Sequence, residues 1–289
     1  MTGSAPLSVV AVHGVGNSFG ADVDGELLED LRGRRAAVWA KEIAKGLGVG
    51  PDRLDLDFAY YADRLAAGRP VAQGDDDELL DDPLARRMLE EWARELGVAD
   101  EVSQGHAGIP VRALSSWVAR KFDLAEGPLR IFIRLLFREV ATYLRADDAP
   151  ERLAAREEVA ARIAAHRPRV VIAHSLGSVV AYEALHAHPE LRPELLLTLG
   201  SPLALPRAVF DRLVPRPEYR GSRPPGVTRW VNIADPGDPV AVPPGLSGYF
   251  EGIAVDHTSV VGFHFDLHHA VNYLRSATTA ATLAPYLGV

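Results

Sequence analysis

The chain has no cysteine among its 289 residues. Disulfide bonds, a thiolate nucleophile and cysteine-ligated zinc are therefore excluded, so a serine becomes the natural nucleophile. Positive charge is also scarce, because 31 Lys and Arg stand against 39 Asp and Glu and give a formal net charge of −8. A protein that binds nucleic acid needs a positive excess to contact phosphates, so we expect no nucleic-acid partner.

Long apolar runs are missing as well, and the first residues, "MTGSAPLSVV", contain neither a basic segment nor a long apolar one. From these absences we expect no export signal and no membrane span, and hence a cytoplasmic protein without integral membrane association. What the chain does contain is 47% hydrophobic residues, enough for one substantial core. We expect a single domain over residues 1–289 with a sizeable insertion.

Short apolar segments alternate with helical ones along the chain, which is typical of βαβ units around a parallel sheet. The strands are expected at residues 7–12, 54–60, 169–173, 195–199, 227–234 and 252–255. The helices between them are expected at 26–47, 151–165, 176–187 and 269–286. The predicted fold class is α/β, with a mostly parallel central sheet flanked by helices.

Residues 64–144 interrupt this alternation and contain no evident strand. They begin with the acidic stretch "GDDDELLDD" and continue with helical segments near 84–96 and 111–144, so we expect a helical insertion, or cap, before the 169–173 strand. In "RIFIRLLFREV", arginines recur every fourth residue beside an apolar face formed by Ile133, Phe137 and Val140. We expect this face to pack on the core and the insertion to cover the strand ends. The alternative is a lid that opens toward a lipid surface.

The segment "VVIAHSLGS", residues 170–178, sets Ser175 between a buried strand and a helix. The pattern small-x-Ser-x-Gly is typical of a nucleophile elbow, in which a sharp turn exposes the serine hydroxyl. Gly177 would let the helix approach closely, while Ala173 stands where the pattern usually has its first glycine. The competing interpretation is that Ser175 only caps the helix that follows.

The first strand runs into a second glycine-rich turn, "VHGVGN", at residues 12–17. Backbone amides in such a turn can face a ligand, and amides aimed at a developing oxyanion lower the barrier to acyl transfer by roughly 3 kcal/mol each. We expect the amides of Val15 and Leu176 to be these donors. The alternatives are a plain tight turn or a phosphate-binding loop, but the third glycine and the lysine of nucleotide-binding patterns are missing.

A serine nucleophile needs a base, and the base needs an acid that orients it. "ADPGDPVA" offers Asp235 and Asp238, of which we expect Asp238 to be the acid, because Asp235 ends the strand and can cap the turn. We expect His268 to be the base. The other candidates are His257, which should lie just beyond the last strand, His264, and His269, which should already be helical.

The same histidine-rich stretch, "HFDLHH", also has the composition of a metal site. A second cluster of carboxylates at ligand spacing is absent from the sequence, so we expect a histidine-rich loop with one working member and no metal. No pattern in the chain calls for a cofactor.

Taken together, "VHGVGN", "AHSLGS", "TLGSPLAL", "DPGDPVA" and "HHAVNYL" resemble the α/β-hydrolase superfamily, and more narrowly bacterial lipase- and esterase-like proteins. The resemblance does not cover residues 64–127. It implies an α/β-hydrolase fold with Ser175 as nucleophile, His268 as base and Asp238 as acid.

The resemblance also implies Val15 and Leu176 as oxyanion donors, and substrate contacts from four other residues of the motifs: His13, Gly14, His174 and Leu203. The function it implies is hydrolysis of a small-molecule or lipid-like carboxylic ester through an acyl-enzyme. The same residues would serve a thioesterase or an amidase. A binding protein that keeps the fold without its chemistry is the alternative from another class.

Overall fold

The structure is a computed structural model that describes residues 5–17, 25–66, 80, 82–98, 110–261 and 268–288. Its strands are β1 (Leu7–Val12), β2 (Leu54–Ala59), β3 (Val170–His174), β4 (Leu195–Leu199), β5 (Gly221–Ser222), β6 (Arg229–Ala234), β7 (Phe250–Glu251) and β8 (Ile253–Thr258). Six of them form one sheet in the order β2-β1-β3-β4-β6-β8, with every adjacent pair parallel. The fold is therefore α/β, as the sequence predicts.

Helices connect the strands and cover both faces of the sheet. They are α1 (Gly25–Leu47), α2 (Ala62–Ala66), α3 (Pro83–Glu95), α4 (Val111–Phe122), α5 (Glu126–Tyr143), α6 (Pro150–His166), α7 (Leu176–Ala187), α8 (Ala270–Arg275) and α9 (Ala277–Leu287). Side chains of each strand alternate between the two faces. Val9 and Ala11 face the layer of α1, α8 and α9, while Val10 and Val12 face the layer that contains α3 to α7.

The order of the strands reverses between β1 and β3. The chain passes from β1 to β2 on one side, then returns to β3 on the other side and continues outward to β8. In open parallel sheets, ligands bind at the carboxyl ends of the strands where this reversal occurs. The two loops that leave β1 and β3 at this point are those of the motifs "VHGVGN" and "AHSLGS".

Two elements differ from the expectation near the predicted base. His257 lies inside β8, which continues to Thr258, so the prediction that it follows the strand is wrong. The single helix expected over 269–286 is two helices, because Ser276 is extended (φ −64°, ψ 147°) and its hydroxyl caps α9 by accepting from Thr279 N. His269 is not yet helical, since it is the residue that caps α8.

Some short elements have no counterpart in the sequence-based prediction. Helix α2 and the two-stranded β5-β7 sheet are too short to give a periodic pattern. The segment 111–144 is divided into α4 and α5 at Asp123, which is left-handed (φ 54°). Elsewhere the predicted sheet strands agree with the structure to within three residues at each end.

The helices α3, α4 and α5 belong to the predicted insertion and share one apolar core with α6 and α7. Ile133, Phe137 and Val140 of α5 are all buried, so the expectation that this face packs on the core is confirmed. No helix in the described part of the chain is both long and apolar enough to cross a membrane.

Candidate active site

Ser175 occupies the sharp turn between β3 and α7. Its backbone has φ 55° and ψ −132°, a region that L-residues rarely adopt and that costs of order 1–3 kcal/mol. The turn is held by hydrogen bonds from Ser175 N to Leu199 O (3.0 Å) and from Ser178 N to Ser175 O (2.9 Å). The Ser175 side chain makes no capping hydrogen bond to α7, so the competing interpretation as a simple helix cap does not describe it.

Two glycines allow the loops after β1 and β3 to touch. A Cβ atom at Gly177 would lie 2.2 Å from the carbonyl oxygen of His13, and one at Gly14 would lie 2.6 Å from Cβ of Ser175. Both distances are far shorter than van der Waals contact, so any larger residue would push the loops apart. Gly177 thus has the close-approach role that the motif predicts, and Gly14 lies directly beside Ser175.

The predicted base lies between the predicted nucleophile and the predicted acid. Nε2 of His268 is 2.8 Å from Oγ of Ser175, and Nδ1 is 2.7 Å from Oδ2 and 2.9 Å from Oδ1 of Asp238. A carboxylate only accepts hydrogen bonds, so Nδ1 carries the proton and Nε2 is left to accept from the serine hydroxyl. The three side chains form one chain of hydrogen bonds in the order Ser, His, Asp.

Asp238 is buried and held by two further donors. Val240 N donates to its Oδ1 (2.8 Å), and the hydroxyl of Tyr273 donates to its Oδ2 (2.7 Å). Asp235, the other candidate acid, instead accepts from Gly237 N (2.8 Å) and Val261 N (2.7 Å). Asp235 therefore organises the turn, and Asp238 is the carboxylate that reaches His268.

The remaining candidate histidines lie elsewhere. His257 is part of β8, and Nδ1 of His269 accepts from Val271 N (3.3 Å) at the start of α8. His264 lies outside the described residues. His174, a predicted substrate contact, is buried with its ring 4.7 Å from that of His268, and burial and the neighbouring histidine charges lower its pKa well below the usual range.

The predicted donor loop is fixed through the carbonyl oxygen of Gly14. This oxygen accepts from Nδ1 of His13 (2.7 Å) and from Nδ2 of Asn17 (3.0 Å). The C=O and N–H of a trans peptide point in opposite directions, so the N–H of Val15 points away from these two side chains. These two hydrogen bonds therefore fix the direction of the predicted donor. Leu176, the other predicted donor, is buried as the first residue of α7.

His13 is buried rather than open to the strand ends. Its Nε2 accepts from Tyr61 N (3.2 Å), and its ring stacks on that of Tyr61 at 4.3 Å. Burial lowers the pKa of His13 to about 4, so the ring is neutral with its proton on Nδ1, as the bond to Gly14 requires. The structure gives His13 a part in holding the loop, and its predicted contact with substrate remains a prediction.

Leu203, the last predicted substrate contact, is buried in the apolar core on the α7 side of the sheet. Its backbone N donates to Oγ of Ser201 (3.3 Å), and Ser201 in turn bonds to Ser178 (2.6 Å) in the first turn of α7. The loop "TLGSPLAL" is therefore tied to the helix that follows Ser175.

The insertion contacts the site at three places. The sequence alone does not indicate which residues of the insertion make these contacts. Phe132 of α5 places its ring 5.3 Å from that of His268, and Glu139 of the same helix accepts from Gly16 N (3.0 Å). Trp92 of α3 donates from its indole N–H to Pro239 O, directly after Asp238. Only Glu139 has a sequence signal among the three, because it is a charged residue on the apolar face of α5.

The site is closed to solvent in this structure. Ser175 and Asp238 are almost fully buried, and the His268 side chain is 10% exposed.

No group of three or more His, Asp or Glu side chains within the described ranges is placed to hold a metal ion. Part of "HFDLHH", residues 264–267, lies outside those ranges. Neither a family model, nor a curated protein, nor a solved structure matches this chain.

Proposed function

We propose that the protein is a serine hydrolase of the α/β-hydrolase superfamily that cleaves a carboxylic ester through an acyl-enzyme. The observation that carries this proposal is the chain of hydrogen bonds from Ser175 Oγ to His268 Nε2 and from His268 Nδ1 to Asp238. The parallel sheet flanked by helices, with Ser175 at its topological switch point, is compatible with that fold.

In the first half-reaction, Oγ of Ser175 attacks the ester carbonyl carbon while Nε2 of His268 takes the hydroxyl proton. The resulting tetrahedral intermediate collapses when the bond to the alcohol breaks, and His268 donates its proton to the departing alkoxide. The acyl group is then covalently bound to Ser175. Asp238 holds the imidazole in the required tautomer and stabilises its positive charge.

In the second half-reaction, water replaces the alcohol. His268 takes a proton from the water, whose oxygen attacks the acyl carbon, and the proton then returns to Oγ of Ser175 as the carboxylic acid leaves. Negative charge develops on the former carbonyl oxygen in both halves. The amides of Val15 and Leu176 are the proposed donors to that oxygen.

A binding protein with the same fold is the alternative from another class. Two features favour catalysis. The backbone of Ser175 is strained, and three residues distant in sequence meet at hydrogen-bonding distances. The same three residues would cleave a thioester or an amide, so assays with ester, thioester and amide substrates distinguish which bond the protein cleaves.

A fluorophosphonate probe tests the proposal, because it labels activated serines. We expect labelling of the wild-type chain that is abolished in Ser175→Ala, and loss of several orders of magnitude in the labelling rate in His268→Ala. His269→Ala is the matched control and should label at close to the wild-type rate. Labelling that survives Ser175→Ala, or a larger loss in His269→Ala than in His268→Ala, would refute the assignment.

A further inference from the structure

Glu139 is a buried carboxylate that the triad does not use. It projects from α5, is 7% exposed, and lies 123 residues away in sequence from the loop it contacts. Its Oε1 accepts a hydrogen bond of 3.0 Å from Gly16 N. Its Oε2 is buried and has no hydrogen-bond partner among the described residues. Burying a carboxylate with one oxygen unpaired costs free energy of folding, so Glu139 does not serve stability alone.

The contact lies one peptide unit from the proposed oxyanion donor. The peptide between Val15 and Gly16 is held at both ends, because its carbonyl accepts from Nδ2 of Asn17 (3.2 Å) and its N–H donates to Glu139. The preceding peptide carries the N–H of Val15, and its carbonyl is held by His13 and Asn17. Of the side chains that hold these two peptides, His13 and Asn17 belong to the loop itself, and Glu139 comes from the insertion.

The backbone at Gly16 is held by hydrogen bonds rather than by close packing. It has φ 74°, and a Cβ at this position would find its nearest neighbour, Leu135 of α5, at 3.9 Å. Sterics alone therefore do not fix the loop at Gly16. A fixed direction of the donor N–H matters, since oxyanion stabilisation depends on donors that are already oriented before the charge develops.

We propose that Glu139 is a positioning residue: its carboxylate holds Gly16 N–H and so fixes the loop that presents the Val15 amide to the developing oxyanion. This inference rests on the proposed function. It makes the insertion a structural part of the reaction, because α5 supplies the acceptor that orders the loop after β1. Among the described residues, the charged and titratable groups that interact with Glu139 are Arg138 on its own helix and the hydroxyl of Tyr61.

Three variants of the full chain separate this role from simple packing. Glu139→Leu removes the acceptor, and Glu139→Gln keeps an oxygen acceptor of the same shape without charge. The control Glu42→Leu removes a carboxylate of α1 with the same exposed fraction, which lies in the opposite layer and pairs there with Arg275 of α8. With p-nitrophenyl acetate as the probe, kcat and KM are measured for each, together with the amide hydrogen exchange of the segment 13–17.

For Glu139→Leu we expect kcat to fall by about 10- to 100-fold with little change in KM, because a misplaced oxyanion donor is lost only in the transition state. Glu139→Gln should recover most of this loss, and Glu42→Leu should show none of it. Exchange in the segment 13–17 should be faster in Glu139→Leu than in Glu139→Gln.

A normal kcat in Glu139→Leu, or a Glu139→Gln variant that is as slow as Glu139→Leu, would overturn the proposal. Unchanged hydrogen exchange of the segment 13–17 in Glu139→Leu would also overturn it. This exchange can be measured whether or not the chain hydrolyses esters. If the wild-type chain is neither labelled by fluorophosphonate nor active on the ester, the proposed function fails, and the exchange data alone then decide whether Glu139 anchors the loop.

Discussion

The hydroxyl of Tyr273 donates a hydrogen bond of 2.7 Å to Oδ2 of Asp238, the same oxygen that lies 2.7 Å from Nδ1 of His268. The hydroxyl also accepts from Asp235 N (3.0 Å), so one side chain of α8 joins the acid loop to the helix that follows the base. Burial and the charge of Asp238 hold the pKa of Tyr273 well above its usual range, and the hydroxyl therefore stays a donor.

The variant Tyr273→Phe should lose stability more than activity. The free energy of unfolding should fall by about 1–3 kcal/mol, because the buried Asp235 N–H loses its acceptor. The kcat for an ester should fall by about tenfold or less, since Val240 N still holds Asp238. Urea denaturation and steady-state kinetics measure both. Tyr143→Phe, which removes a buried hydroxyl that bonds Glu183, is the control that should not change kcat.

The pH dependence of stability should report Glu139. Burial raises its pKa from 4.5 to about 7, so the folded state holds this proton more tightly than the unfolded state does. The stability that the protonated carboxyl contributes is complete below pH 4.5 and is lost as the pH rises to about 7. Because Glu139→Gln cannot titrate, its free energy of unfolding relative to wild type should rise by about 3 kcal/mol between pH 4 and pH 8. A difference that stays constant with pH would contradict the assigned shift.

A buried ion pair on α6 and α7 should matter for stability alone. Arg152 donates to both carboxylate oxygens of Glu183, which also accepts from Tyr143 (2.8 Å) and Val214 N (3.0 Å). Glu183→Ala removes the buried partner of the guanidinium and leaves it the exposed Asp147 (3.3 Å) as its carboxylate partner, so the free energy of unfolding should fall by up to about 5 kcal/mol. Thermal or urea unfolding measures this, with Glu190→Ala, an exposed carboxylate beside His188, as the control. An equal, small loss in both variants would show that the buried network contributes little.

Phe132 should limit the size of the acyl group. Its ring lies beside that of His268, with centroids 5.3 Å apart, so Phe132→Ala opens space beside the base. The ratio of kcat/KM for the octanoate ester to that for the acetate ester should rise by about tenfold, because a few methylene groups gain room. Ile131→Ala, at the exposed neighbouring position, should leave the ratio unchanged. The role of Phe132 is rejected if the ratio does not move, or if it moves equally in both variants.

The sequence predicts those parts of the site that are carried by local patterns. Strands β1 and β3 are apolar except for Ser8 and His174, because both faces of each strand are buried, and the turns that follow them carry recognisable residues at fixed spacing. Ser175 lies in the turn after β3, and Asp238 lies in a similarly recognisable turn after β6. The sequence offers four histidines as the base, and a local pattern does not determine which of them reaches a carboxylate 30 residues earlier in the chain, as His268 does.

The contacts from the insertion could not be predicted, because they depend on how α3 and α5 pack. No local sequence pattern links Glu139 to Gly16, and the hydrogen bond between them exists only because α5 packs beside the loop that follows β1. The division of 269–286 at Ser276 has a similar cause. The periodicity of the segment is helical throughout, but the extended backbone of one residue redirects the chain.

The central claim is that Ser175 carries the acyl group during turnover, and intact-mass measurement after rapid acid quench tests it most directly. With p-nitrophenyl acetate, the account predicts a wild-type chain that gains the mass of one acetyl group, mapped by peptide analysis to the segment that contains Ser175. The Ser175→Ala variant should gain none. Turnover without any acylated chain, or an acetyl group that maps to another residue and persists in Ser175→Ala, would contradict the account.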